Sequence, residues 1–268
     1  MREFRATGRH LAAFGVLVTD APPAGMLCGM IDLRGKVARY GVVVAAGALL
    51  LAGCGSDEHA GHGNSAPPTT AHEQLLLTPE QFPQGSKKLD LPKDKVQSAA
   101  ADFASLNDSA TFTPPECAQT QNSVGAATQQ VIGDSTFIAA SDAAAGVMYV
   151  EYLSPRLAEL DRITEGNRTC GEVTLTTTVE GQSIESTVKV ENKTPPAALD
   201  GIDAIVYRST TVSSVGAGKP ITMTDYMGIA TLRGLSVAVR VSALDDKGDE
   251  DGFTKVFTDA VTKVRDAA

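Results

Sequence analysis

Two consecutive runs of alternating side chains constrain this chain more than any other feature. Val173, Leu175, Thr177 and Val179 hold every second position of one run, and Ile184, Ser186, Val188 and Val190 do so in the next. Successive strand residues point to opposite faces, so each run gathers its apolar set on one face. Gly181-Gln182 lies between them and reads as a two-residue hairpin turn. With that turn Val179 opposes Ile184, Leu175 opposes Val188 and Val173 opposes Val190. A slip of one residue would split the apolar set between faces, so the pattern demands an antiparallel sheet buried on one side.

The same logic extends along the chain. Arg233-Gly234 predicts a second hairpin that pairs Leu232 with Leu235, Ala230 with Val237 and Tyr226 with Val241. Asp203 to Val212 reads as a strand before it, joined through Ser213 to Lys219; Ser135 to Ala140 and Val147 to Leu153 read as another strand pair. Helical spacing links Val96, Ala99, Ala100, Phe103 and Leu106 within residues 91–106. Ser154-Pro155 predicts the cap and first residue of a short helix that Gly166 ends. Phe253, Val256, Phe257, Ala260, Val261 and Val264 form one apolar stripe on a terminal helix. Thr113-Pro-Pro-Glu-Cys117 breaks the chain. The expected architecture is α+β: an antiparallel sheet of about six or seven strands with helices packed against it.

Ahead of this region lies a different kind of sequence. Arg34, Lys36 and Arg39 precede an apolar run, Gly41 to Leu51, that is too short to span a bilayer. Leu51-Ala-Gly-Cys54, which follows at once, resembles a bacterial lipobox. The resemblance implies that residues 1–53 are a signal peptide and that Cys54 carries a diacylglyceryl group as the first mature residue. It also implies a lipid-anchored protein on the extracytoplasmic face of the cell membrane. A start at Met30 gives the positive region a normal length, so residues 1–29 are expected to be an over-extended start. Residues 54–74 are mostly small, polar and proline-broken, which suits a flexible tether. Residues 75–268 are enough for one domain with a sizeable core.

Charge and cysteine use follow from that division. Six basic and three acidic side chains fall in residues 1–53, which leaves 17 Lys and Arg against 29 Asp and Glu, a net of −12. Such a surface argues against nucleic acid, whose phosphates need clustered cations. It also argues against electrostatic adhesion to anionic lipid, so the acyl chains on Cys54 must supply the membrane contact. Cys28 lies in the leader, and Cys117 and Cys170 are left alone in an exported domain, where a disulfide is expected. Closing that loop stabilises the fold by roughly 4 kcal/mol in the chain-entropy model.

The domain opens with Leu75-Leu-Leu-Thr-Pro-Glu-Gln-Phe82 and carries the Pro-Pro-Glu-Cys117 segment between a helix and the hairpins. In that layout the chain resembles the cell-envelope lipoproteins of mycobacteria and related actinobacteria. It is similar to a group related to the extracytoplasmic sensor domain of a mycobacterial serine/threonine kinase. That resemblance implies ligand sensing or envelope binding and carries over no catalytic residue.

Chemistry is sparse. The four histidines are His10, His59, His62 and His72, all before residue 75, so histidine-based nucleophile systems and zinc sites are excluded from the domain. Gly216-Ala-Gly-Lys219 lacks the spacing of a phosphate loop and reads as a connector. His59-x-x-His62, with Asp57, Glu58 and His72 nearby, is a chance-level metal pattern on a flexible segment. Asp245-Asp-Lys-Gly-Asp-Glu-Asp251 departs from calcium-loop order, and its last acids are expected to cap the terminal helix. No metal and no cofactor is expected. Glu151, Asp203 and Asp225 fall on or near strands and are expected to be solvated on the outer sheet face; the alternative is that two of them work as acid and base in glycoside hydrolysis. The first expectation is non-catalytic binding or sensing of a lipid or other small envelope ligand, with an envelope protein as a further partner. The alternatives are a carboxylate-dependent envelope hydrolase and an accessory to a transmembrane kinase.

Overall fold

Nine strands pair edge to edge in the computed structural model, which describes residues 66–98, 109–179 and 181–268. They are β1 (Lys87–Leu89), β2 (Thr111–Thr113), β3 (Thr136–Asp142), β4 (Val147–Ser154) and β5 (Glu172–Val179). After these come β6 (Gln182–Lys193), β7 (Asp203–Val215), β8 (Ile221–Leu232) and β9 (Leu235–Ala243). All neighbours are antiparallel, in the order β1-β3-β4-β9-β8-β7-β6-β5-β2. The expected α+β class holds, but six or seven strands was too few. The two missed strands, β1 and β2, are three residues each, too short to show a period of two, and they close the sheet's edges.

The second hairpin has the expected register, Leu232 to Leu235 and Tyr226 to Val241. Arg233 and Gly234 both take positive φ, 51° and 74°, as a type I′ turn requires. The first hairpin is displaced by two residues from its expected register. Val179 opposes Gln182, Thr177 opposes Ile184 and Val173 opposes Val188. Gly181, at φ 77°, therefore ends the turn rather than beginning it. An even displacement preserves the faces, so Val173, Leu175, Ile184 and Val188 still share one side.

Helix α1 (Cys117–Asp134), α2 (Leu160–Thr169) and α3 (Glu250–Arg265) divide between the two faces. The α3 stripe packs on β8 and β9 and buries Phe253, Val256, Phe257, Ala260, Val261 and Val264 against Leu153, Val237, Val239 and Val241. Burying each Phe, Val or Leu side chain of this set stabilises the fold by about 1.5–3 kcal/mol. Gly228 makes the approach fit, because a Cβ there would sit 2.7 Å from the Phe257 ring. Leu75, Leu76, Leu77 and Phe82 fill the same core from the N-terminal side. This strap is also tied by polar contacts: Arg233 Nε donates to the Ala66 carbonyl, and Thr69 N–H to that of Ala268.

Three local expectations need correction or limits. Ser154 does not start a helix; it remains in β4 opposite Ser236, and its Oγ accepts from the Arg156 N–H. Helix α2 begins at Leu160 instead and continues through Gly166. Helix α1 has no counterpart in the sequence reading. Residues 93–98 are helical as expected, and the remainder of 91–106 falls largely outside the described residues. Cys54, the leader and His59 and His62 also lie outside them. Every described residue belongs to the compact unit Ala60–Ala268.

Candidate functional site

At 1.5 Å per residue, the 18 residues of α1 span about 27 Å. The helix starts beside β2 at Cys117, which is disulfide-bonded to Cys170 just before β5. It ends at Asp134, beside β4 and immediately ahead of β3. Five strands separate β2 from β4, a width of about 29 Å at 4.8 Å per strand. The helix thus runs on the face opposite α3 from β2 to β4. Cys117, Cys170 and Val173 make a small core at one end, and Arg156 pairs with Asp134 at the other. Helix α2 runs along β6 and β7, where Asn167 Nδ2 donates to Asn192 Oδ1 at 3.0 Å.

Beneath this span lie the central strands. Directly opposed residues share a face, so the register assembles the floor in rows. One row is Val150, Arg240, Met227 and Tyr207; the next is Tyr152, Ala238, Ile229 and Ile205. A third is Met148, Ser242, Asp225 and Ser209. On the α3 face Val237, Val239 and Val241 are completely buried, whereas Tyr152, Tyr207, Met227 and Arg240 on the floor keep part of their surface open.

A charged cluster sits at the middle of that floor. Arg240 Nε donates to Asp225 Oδ1 at 2.8 Å, and Ser242 Oγ donates to the same oxygen. The two partners are unequally enclosed: the Arg240 side chain is 41% exposed and that of Asp225 8%. Burial works against the Arg240 cation, but the charge and hydrogen bond of Asp225 outweigh it and hold the pKa above the ordinary arginine value. Burial pushes Tyr207 up to about 12 and raises Tyr152 as well, with Arg240 opposing both. Both phenols therefore stay protonated near neutral pH, with hydroxyls able to donate or accept.

No family model matches the chain, and no curated protein does. Among solved structures it is similar to an uncharacterized protein from Mycobacterium smegmatis, the Rv0999 ortholog, known from an X-ray structure. The two share 13% identity over 69% of this chain and 92% of that one, with a TM-score of 0.38. A likeness of that size carries no argument about what this chain does.

The three carboxylates singled out from sequence are not brought together. Glu151 opposes Val239, on the α3 face, and is completely buried. Its Oε2 accepts the Leu77 N–H at 2.8 Å, while Oε1 has no hydrogen-bond partner. Burial pushes its pKa up to about 7, opposed by the Leu77 hydrogen bond and the Lys263 charge. Asp225 is on the floor, on the other side of the sheet from Glu151. Asp203 opposes Thr231, six residues along β8 from Asp225, or about 20 Å. Asp203 is exposed as expected, whereas Glu151 and Asp225 are buried, contrary to the expectation of a solvated outer face. Each has a local reason: an otherwise unpaired strap N–H for Glu151, and a cation for Asp225. The sequence holds a signal for the latter, since Arg240 is the single charged residue in the apolar run Leu235–Ala243.

The acidic loop behaves as expected. Asp249 caps α3 by accepting the Gly252 N–H at 3.0 Å and is fixed in turn by the Tyr149 hydroxyl. Asp245 accepts from the Lys247 and Gly248 N–H groups. Among the described residues no three His, Cys, Asp or Glu side chains gather as metal ligands, and no helix is long and apolar enough to cross a membrane.

Proposed function

We propose that this chain is an extracytoplasmic lipoprotein, acylated at Cys54, whose domain binds a lipid or other small envelope ligand without transforming it. The observation that carries the reading is the floor beneath α1. A structural core would enclose Met227, Ile205, Tyr152 and Tyr207 as completely as the valines on the opposite face, yet these side chains stay partly open. An apolar surface with a few convergent polar groups is the usual make-up of a small-molecule site. In the same reading the domain works as a sensor, and occupancy is passed to a partner protein of the envelope. Anchoring through Cys54 explains why an acidic domain can stay at a membrane that repels it.

Native mass spectrometry of the protein isolated from its own envelope tests the binding. A co-purifying lipid or glycolipid supports the reading; ligand-free protein associated only with another polypeptide points to a scaffold instead. Metabolic labelling with an alkyne fatty acid tests the anchor. Cys54→Ala is expected to abolish the label and release the chain from membranes, and label retained by that variant refutes acylation at this position.

A further inference from the structure

We infer that Arg240 is an anion-recognition point, so that the ligand is an amphiphile whose carboxylate or phosphate head pairs with the outer edge of this guanidinium. The inference rests on the floor being the binding surface. It begins from the asymmetry of the Arg240–Asp225 pair. A guanidinium carries five N–H donors in a rigid fork, and a pair built for enclosure is usually bidentate and covered on both sides. Here the carboxylate is enclosed and held from behind by Ser242, and it takes only the Nε donor. The two terminal nitrogens reach no acceptor among the described residues, and the side chain stays open to solvent. Asp225 therefore acts as a positioning residue that fixes the fork through its Nε edge.

The surroundings supply what an anionic head needs. Tyr152 and Tyr207 lie close enough for their ionisation to be coupled to the Arg240 charge, and both keep their hydroxyl protons near neutral pH. Among the described residues of β4, β7, β8 and β9, Arg240 is the one cation on this face. That matters in a domain of net negative charge, which repels a free anion until a local cation offsets the field. The apolar neighbours Val150, Met227, Ile229 and Ile205 lie in the same and the adjoining row, where a hydrocarbon chain attached to the head would rest. Charge for the head and apolar surface for the tail thus meet within one strand repeat.

The test uses the full chain with Cys54→Ser in every arm, so that no attached acyl group competes. Three probes of equal chain length are compared by equilibrium dialysis: palmitate, hexadecyl phosphate and uncharged 1-monopalmitoylglycerol. At least one anionic probe is expected to bind about tenfold or more tightly than the neutral one, the scale of a charge-assisted hydrogen bond. The comparison of palmitate with hexadecyl phosphate says which head group is preferred. Arg240→Gln should remove that advantage, bringing the anionic probes to the affinity of the neutral one. If the single variant does not fold, Arg240→Gln with Asp225→Asn keeps a hydrogen-bonded pair without charge and serves the same purpose. Equal affinity for all three probes in the parent protein overturns the role of Arg240 while leaving the floor as a binding surface. Charge preference that survives the substitution overturns it too. Failure of every probe to bind removes the floor reading and this inference together.

Discussion

Glu151→Gln is the substitution whose consequence follows most directly from the structure. The carboxyl group is fully enclosed between β4, the strap and α3, and only one of its oxygens is hydrogen-bonded. Burial raises its pKa from 4.5 to about 7. The folded state therefore holds this proton more tightly than the unfolded chain does. The resulting stability is fully present below about pH 4.5 and is lost as the pH rises through about 7. At about 1.4 kcal/mol for each tenfold change in proton affinity, the loss amounts to about 3 kcal/mol. Glutamine keeps the shape and an oxygen for the Leu77 N–H but cannot ionise. Urea unfolding followed by far-ultraviolet circular dichroism, with the disulfide intact, should show the variant gaining on the parent by about 3 kcal/mol between about pH 4.5 and about pH 8. Subtracting the two curves cancels every other titrating group. Parallel curves over that range would refute the argument, because they would mean that the buried carboxyl ionises as freely as an exposed one.

Three further outcomes follow from the packing. Replacing Cys117 and Cys170 together by serine should cost roughly 4 kcal/mol, the loop-closure value for a separation of 53 residues, read as a fall in the urea midpoint. Gly228→Val should destabilise by about 1–3 kcal/mol and displace α3 from β8, since the new side chain meets the Phe257 ring; an unchanged melting temperature would contradict the close approach. Arg233→Met removes the donor shared by the carbonyls of Ala66, Val264 and Ala267, so amide exchange should quicken in the strap and the last turn of α3, with a loss of about 1–3 kcal/mol. Exchange that quickens throughout the sheet instead would mean that the contact is not local.

The parts of the fold legible in the sequence are those where one physical requirement acts alone. The α3 stripe and the Arg233-Gly234 hairpin were plain because apolar period and turn chemistry agree there, and both occur as expected. The first hairpin kept its faces but lost its register, because parity fixes which side is buried whereas turn geometry fixes the pairing, and Gly181 fits either turn position on paper. Helix α1 stayed hidden for a different reason. Most of its residues are small or polar, as in Ala118-Gln-Thr-Gln-Asn-Ser123, so its few apolar residues do not stand out as a stripe. The floor was hidden by extension, since Tyr152, Tyr207, Asp225 and Arg240 come from four strands and meet only through sheet order. What was legible of it was a lone arginine in an apolar strand.

Helix α1 is held at both ends. One end of α1 is welded to the base of β5 by a covalent sulfur link, and the other runs within two residues into β3. Lifting it away like a hinged cover would require breaking one of those joints. Reduction of the sulfur link would free only the β5 end, because the other end is continuous with the backbone of the sheet.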